Sequence, residues 1–204
     1  MTPDLAEITA RIGAALLLAA AVAKLTRILP KAVAAFVTAG AVLAAAVATV
    51  GGFTAVEYLL SETAPLSAAS LLFCARSLWR DLARPALPAD RLGFRSMATI
   101  VLLLALAFYP SALGWRSYDP YALGYAGWDL PAVLLALLAA GYLLNSPAVA
   151  FWLCLCGALF LSGLTLSRNL WDAAIDPLAP FFALPILFER VRARSAAVPE
   201  VPRA

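Results

Sequence analysis

Seven apolar runs, each near the length of a membrane helix and separated by short polar segments, decide most of what this chain can become: 5–23, 32–56, 63–79, 97–114, 130–145, 147–166 and 171–189. A bilayer's hydrocarbon core takes about 20 predominantly apolar residues as a helix. Within it, only helices and closed barrels satisfy every backbone N–H and C=O. The expected fold class is therefore an all-α integral membrane protein, a multi-pass transmembrane helix bundle of seven spans, or of six if 63–79 does not cross. Composition agrees. Residues AVILMFWYC make up 64% of the 204 and charged residues only 13%, against roughly 25% charged in soluble domains. A chain this size cannot bury so much apolar surface in itself, which excludes a soluble enzyme, a disordered chain and a nucleic-acid-binding domain. Residues 1–195 read as a single transmembrane domain and 196–204 as a short cytoplasmic tail.

Two of the runs are irregular. In 63–79 the uncharged stretch from Thr63 to Ala75 is short, so Arg76 and Trp79 belong at an interface. The last run contains Pro177, Pro180 and Pro185, which predicts a kinked or partly unwound helix. Asp4 and Glu7, against Arg11, mark the start of the first run and Lys24 follows it, the reverse of an export signal, so the run reads as a retained span.

Lys and Arg stay on the cytoplasmic side. With seven spans and the N-terminus outside, that side holds Lys24, Arg27, Lys31, Arg76, Arg80, Arg84, Arg91, Arg95, Arg190, Arg192, Arg194 and Arg203, leaving Arg11, Arg116 and Arg168 outside: 12 against 3. Six spans with the N-terminus inside moves Arg11 in and Lys24, Arg27 and Lys31 out, giving 10 against 5. The expected location is a plasma membrane, the inner membrane of a Gram-negative cell, with the N-terminus outside and the C-terminus cytoplasmic.

Much chemistry is missing. Without histidine there is no Ser-His-Asp or Cys-His system and no usual zinc site. Cys74, Cys154 and Cys156 read as small buried hydrophobes. No P-loop or GxGxxG occurs, so no nucleotide and no nucleic acid is expected as partner.

Three local patterns carry expectations. Gly40, Ala44, Ala48 and Gly52 recur every four residues, a candidate helix-packing seam. Asn145-Ser146-Pro147 reads as a tight turn, with Ser146 capping and Pro147 opening the next helix, which makes an antiparallel hairpin. The segment from Trp115 to Trp128 is too polar and too rich in Gly and Pro to continue a helix, and belongs along the outer interface.

The outer loops hold Asp119, Asp129, Asp172 and Asp176 beside Arg116, Arg168 and Asn169, and any site belongs there. Ser162, Thr165, Asn169, Asp172 and Asp176 are spaced 3, 4, 3 and 4. If 147–166 runs on as one helix to Asp176, they share a face turned toward the bundle interior. Asp172 and Asp176 are then one turn apart, with Arg168, Arg116 or a divalent cation to separate their charges. Alternatively Asn169 ends one helix, Asp172 caps the next and Asp176 lies at the water boundary. Over eight residues, Asn169 to Asp176 resembles the Asp-rich, Mg-diphosphate-binding motif of membrane aromatic prenyltransferases. Leu170 stands where that family has an Asp, no second such motif follows, and no family is assigned.

Three functions compete. The leading expectation is a non-catalytic accessory or assembly subunit of a membrane complex, with the bilayer and a membrane-protein partner or a second copy as its contacts, and without a cofactor. The next is a small carrier or channel for a cation or polar solute using the Ser162–Asp176 stripe. The last is a metal-dependent enzyme on lipid-linked substrates at the outer face, its divalent cation held by Asp172 and Asp176. The reading leans away from an enzyme.

Overall fold

The computed structural model describes residues 4–63, 65–82, 92–115, 119–125, 129–143 and 145–196. Arg116 and most of the C-terminal tail lie outside them. The fold is 78% helical, and the only strand pair among the described residues is a two-residue ribbon. In order the elements are α1 (Leu5–Leu25), α2 (Lys31–Val47), β1 (Thr49–Val50), β2 (Phe53–Thr54), α3 (Ala55–Thr63), α4 (Ala68–Leu82), α5 (Phe94–Ala112), a 3-10 turn (Pro120–Gly124), α6 (Asp129–Leu143), α7 (Pro147–Leu161), α8 (Leu170–Ala174) and α9 (Ala179–Ala196). Three segments, Leu5–Leu25, Phe94–Ser111 and Leu170–Glu189, are long and apolar enough to cross a membrane.

Side-chain pairings sort the helix ends into two groups. Near the start of α1, Arg11 bridges Glu7 at 2.7 Å and Glu57 of α3 at 2.8 Å. Asp176, just before α9, meets the start of α4. At the opposite end, Arg76 and Arg80 of α4 both hold Glu189 of α9, and Arg95 of α5 donates to the Leu187 carbonyl. The Ser146 hydroxyl before α7 donates to the Gly93 carbonyl before α5. The starts of α1, α4 and α9 thus lie at an acidic end, and those of α5 and α7 at the opposite, basic end.

The tightest pair is α5 with α9. On α5 the buried apolar positions are Met97, Ala98, Val101, Ala105 and Phe108, and on α9 Ala179, Ala183 and Ile186. Both sets follow helical spacing with alanine at the crossing. Small residues let backbones approach until dispersion supplies the contact, the main source of cohesion where lipid removes the hydrophobic drive. Trp152 of α7, fully buried, adds a hydrogen bond from its indole N–H to the Ala174 carbonyl at 2.9 Å.

Several expectations need correction. The 32–56 run is not one helix. It stops at Val47, and Gly51 and Gly52, at φ 60° and 88°, form the two-residue loop that joins β1 to β2. Two consecutive positive-φ residues match the twist of a hairpin, and glycine adopts them without steric cost. The Gly40, Ala44, Ala48 and Gly52 seam is not an internal contact: all four are exposed, and Gly52 lies in the hairpin loop. The face of α2 turned inward is one step round, at Ala34 and Thr38. Ser146 does precede Pro147 at the start of α7, but its hydroxyl bonds to Gly93 and caps nothing. Cys74 and Cys156 are buried, whereas Cys154 is exposed.

Glu57 holds the hairpin to the bundle. Its carboxylate accepts from the Thr54 N–H at 2.7 Å and the Thr54 hydroxyl at 2.9 Å as well as from Arg11. The Thr54 backbone bond, then its hydroxyl, hold this acid below the usual carboxylate range. A depressed acid stabilises the fold above its unfolded pKa, and that contribution is lost as pH falls through the folded value. The protection of the Thr54 amide, taken relative to intrinsic exchange at the same pH, is therefore expected to be high at neutral pH and to fall on acidification below the carboxylate range. Protection unaffected by that acidification would contradict the assignment.

Candidate functional site

A cavity of about 340 Å³ opens among α1, α3, α7 and the 164–177 segment at the acidic end. Its polar wall is Thr9, Thr63, Thr165, Ser167, Asp172 and Asp176. Its apolar wall includes Ala10, Leu66, Leu159, Leu164 and Leu166.

The chain reaches this arrangement by breaking twice. α7 stops because Ser162-Gly163 ends it: Gly163, at φ 68°, donates to the Phe160 carbonyl, and Leu164 donates to that of Leu159. This reversed pair is the Schellman stop, which requires a left-handed residue after the cap. The 162–169 segment is then irregular, and the single helix face from Ser162 to Asp176 does not exist. Its alternative is the structure in part. Asn169 precedes α8 and accepts the Trp171 N–H at 2.9 Å. The second break follows at Ile175, which is extended (φ −145°, ψ 139°), with Asp176 and Pro177 after it. The last run is thus unwound between α8 and α9, at Pro177, while Pro180 and Pro185 lie within α9.

Thr165, Asp172 and Asp176 still meet, across loops rather than along a helix. Asp176 is not at the water boundary but 6% exposed. Its Oδ1 accepts from the Ser70 hydroxyl at 2.8 Å, the Leu178 N–H at 2.8 Å and the Ala179 N–H at 2.9 Å, and its Oδ2 accepts from the Ser67 N–H at 2.7 Å. One carboxylate therefore satisfies groups at the N-terminal ends of both α4 and α9, where orphan N–H groups and helix dipoles favour negative charge. Asp172 differs: among the described residues it accepts only the Tyr121 hydroxyl, at 2.7 Å, on Oδ2. Burial first, then the hydrogen bond to Asp172, raise the pKa of Tyr121, keeping it the donor.

Asn169, with no exposed surface, latches the 3-10 turn onto α8. Its Nδ2 donates to the Tyr121 carbonyl at 3.0 Å, and the neighbouring Trp171 indole N–H donates to the Pro120 carbonyl at 2.9 Å. Asp119 is exposed and accepts the Tyr121 N–H, which shapes the turn, not the cavity. Asp129 begins α6. Arg168 is exposed and forms no ion pair among the described residues, so it does not separate the two aspartates. Arg116 lies outside the described residues. Asp172 and Asp176 both line the cavity, and Asp176 already accepts from four donors. Among the described residues no three His, Cys, Asp or Glu side chains gather as a metal site.

Sequence reasoning missed Ser67, Ser70, Tyr121, Thr9 and Thr63. Ser67 and Ser70, three apart at the start of a helix, carried a capping signal; the others carried none.

Set against known proteins, the chain matches no family model, and no curated protein and no solved structure matches it.

Proposed function

We propose that this chain is a seven-crossing plasma-membrane protein that binds a small polar solute in the cavity at its outer end, as a carrier does, rather than catalysing a reaction. The observation that carries this is the cavity itself, lined by hydroxyls, two carboxylates and leucines, beside the break between α8 and α9. Pockets for small ligands have this make-up, and interrupted helices commonly line substrate sites in transporters. Seven crossings are supported by the sorting of helix ends. Arg76, Arg80 and Arg95 sit at one end and Glu7, Glu57, Asp172 and Asp176 at the other, in line with basic residues retained inside. α4, α6 and α7, at 15 residues each, rise about 22 Å against a hydrocarbon core of about 30 Å. Local thinning and flanking loops accommodate a mismatch of that size.

A reporter enzyme active only in the periplasm is expected to work when fused after Gly124 and to be silent after Arg27 and after Arg194. Activity after Arg27 would select six crossings. For the cavity, native mass spectrometry of protein taken directly into lipid discs is expected to show a retained small molecule. The filled variant Thr165→Trp is expected to lose it. Bare chain in both samples would end the solute-binding reading.

The accessory-subunit reading keeps one specific observation. Gly40 and Ala44 form an exposed strip on α2 that no described residue covers. Cysteine placed at Gly40 is expected to cross-link in native membranes only if a second protein or a second copy packs there.

A further inference from the structure

We infer that the solute held in this cavity is a small organic cation, its ammonium group seated on Asp172 and its hydrocarbon part against the leucine wall. This rests on the cavity being a solute site, and narrows it to one ligand chemistry.

The argument is an account of oxygens and charges. The cavity wall carries two carboxylates and, among the described residues, no Lys or Arg. Asp176 is already committed: four donors occupy it, and two helix N-termini share its charge. Asp172 has one partner, the Tyr121 hydroxyl on Oδ2, and its Oδ1 accepts from no described residue. A carboxylate has about four acceptor positions, so Asp172 keeps acceptor capacity, and here it lines the cavity. The complement is a donor-rich cation. An ammonium group offers three N–H donors at once, enough for Asp172 and hydroxyl or carbonyl oxygens beside Thr165 and Ser167. A divalent metal fits poorly, since hard cations take six or more oxygens and lean on several carboxylates, and only one here is uncommitted. The lining leucines Leu66, Leu159 and Leu164 suit a hydrocarbon body. About 340 Å³ is at the small end of ligand pockets.

Equilibrium dialysis against protein in lipid discs tests this, with empty discs subtracted for partition into lipid. Three ring compounds of one shape serve as probes: cyclohexylammonium, cyclohexanol and cyclohexanecarboxylate. The wild-type chain is expected to bind cyclohexylammonium at least about tenfold more tightly than cyclohexanol, the scale of a charge-assisted hydrogen bond, and the carboxylate not at all. Asp172→Asn is expected to erase that preference while cyclohexanol still binds, which shows the cavity intact, and Asp172→Glu to restore it in part. Equal affinity for the ammonium and the alcohol in the wild type would overturn the cation assignment and leave the solute-site reading standing. Specific binding of none of the three would overturn both. A preference that survives in Asp172→Asn would place the cation elsewhere and overturn the assignment to Asp172.

Discussion

Asp176→Ala is expected to destabilise the folded chain by about 3–5 kcal/mol, since a buried donor left without its acceptor costs about 1–3 kcal/mol and this carboxylate serves four. Partial relaxation keeps the total below the simple sum. The graded variant is more informative. In Asp176→Asn the retained oxygen can occupy the Oδ1 position, where three of the four donors converge, so only the Ser67 N–H bond is lost, together with the charge. That change is expected to cost about 1–2 kcal/mol, from one lost bond and weaker helix-dipole compensation. Ser70→Ala, which removes one donor and leaves the carboxylate three, is expected to cost about 1 kcal/mol. Reversible unfolding in detergent micelles gives the order Ala, then Asn, then Ser70→Ala. If Asp176→Ala lay within about 0.5 kcal/mol of the wild type, the carboxylate would not be the joint between α4 and α9, and its place in the cavity wall would need another explanation.

The helical class was legible because apolar length is a coarse signal that survives any packing. Helix ends were less so. The 32–56 run hid a hairpin because Val, Thr and Phe are as apolar in a ribbon as in a helix. Only Gly51-Gly52 marked the turn, and in a glycine-bearing small-residue pattern they looked like part of a seam. The same kind of error joined α7 to Asp176. Spacing of 3 and 4 counts residues as if the backbone were continuous, while Ser162-Gly163 stops it. The polar residues of the stripe still matter, for a reason periodicity does not contain: the chain doubles back, and Thr165, Asp172 and Asp176 meet around a cavity whose other walls come from α1 and α3. The alternative that puts Asp176 at a water boundary follows from an acid before a proline at a helix end being usually solvated. What buries it is Ser67 and Ser70, more than a hundred residues earlier, and no local pattern reports a partner at that separation. Arg76 shows the reverse. Assigned to the basic end on charge alone, it sits there on Glu189, with its guanidinium also 5.5 Å from the Phe94 ring centre.

Gly124→Ala is expected to release the 3-10 turn from α8 at a cost of about 2–4 kcal/mol, on the scale of a steric insertion at a packed site together with lost hydrogen bonds. No positive φ reserves this position for glycine; contact does. A Cβ there would approach Asn169 Cγ to 2.6 Å and Trp171 Cδ1 to 2.9 Å and would run into the Asn169 amide oxygen. Asn169 has nowhere to go. It is fully buried, its Oδ1 accepts the Trp171 N–H, and its Nδ2 donates to the Tyr121 carbonyl. Trp171 is fixed in turn by its bond to the Pro120 carbonyl and by Phe108, whose ring centre lies 5.0 Å away. The turn must therefore lift, which takes Tyr121 off Asp172 and opens the outer side of the site. The damage is expected to be local. Hydrogen exchange should accelerate at Tyr121 and Tyr125, and Trp171 fluorescence should shift to the red, while the Ser67–Asp176 joint keeps its protection. Because the cause is one contact, its removal should relieve it. Asn169→Ala alone loses two hydrogen bonds, but in the double variant the alanine Cβ finds room where the amide stood. The double variant is expected to be less damaged than the two single losses added together, the signature of coupled neighbours. Strict additivity would mean that something other than Asn169 keeps position 124 empty.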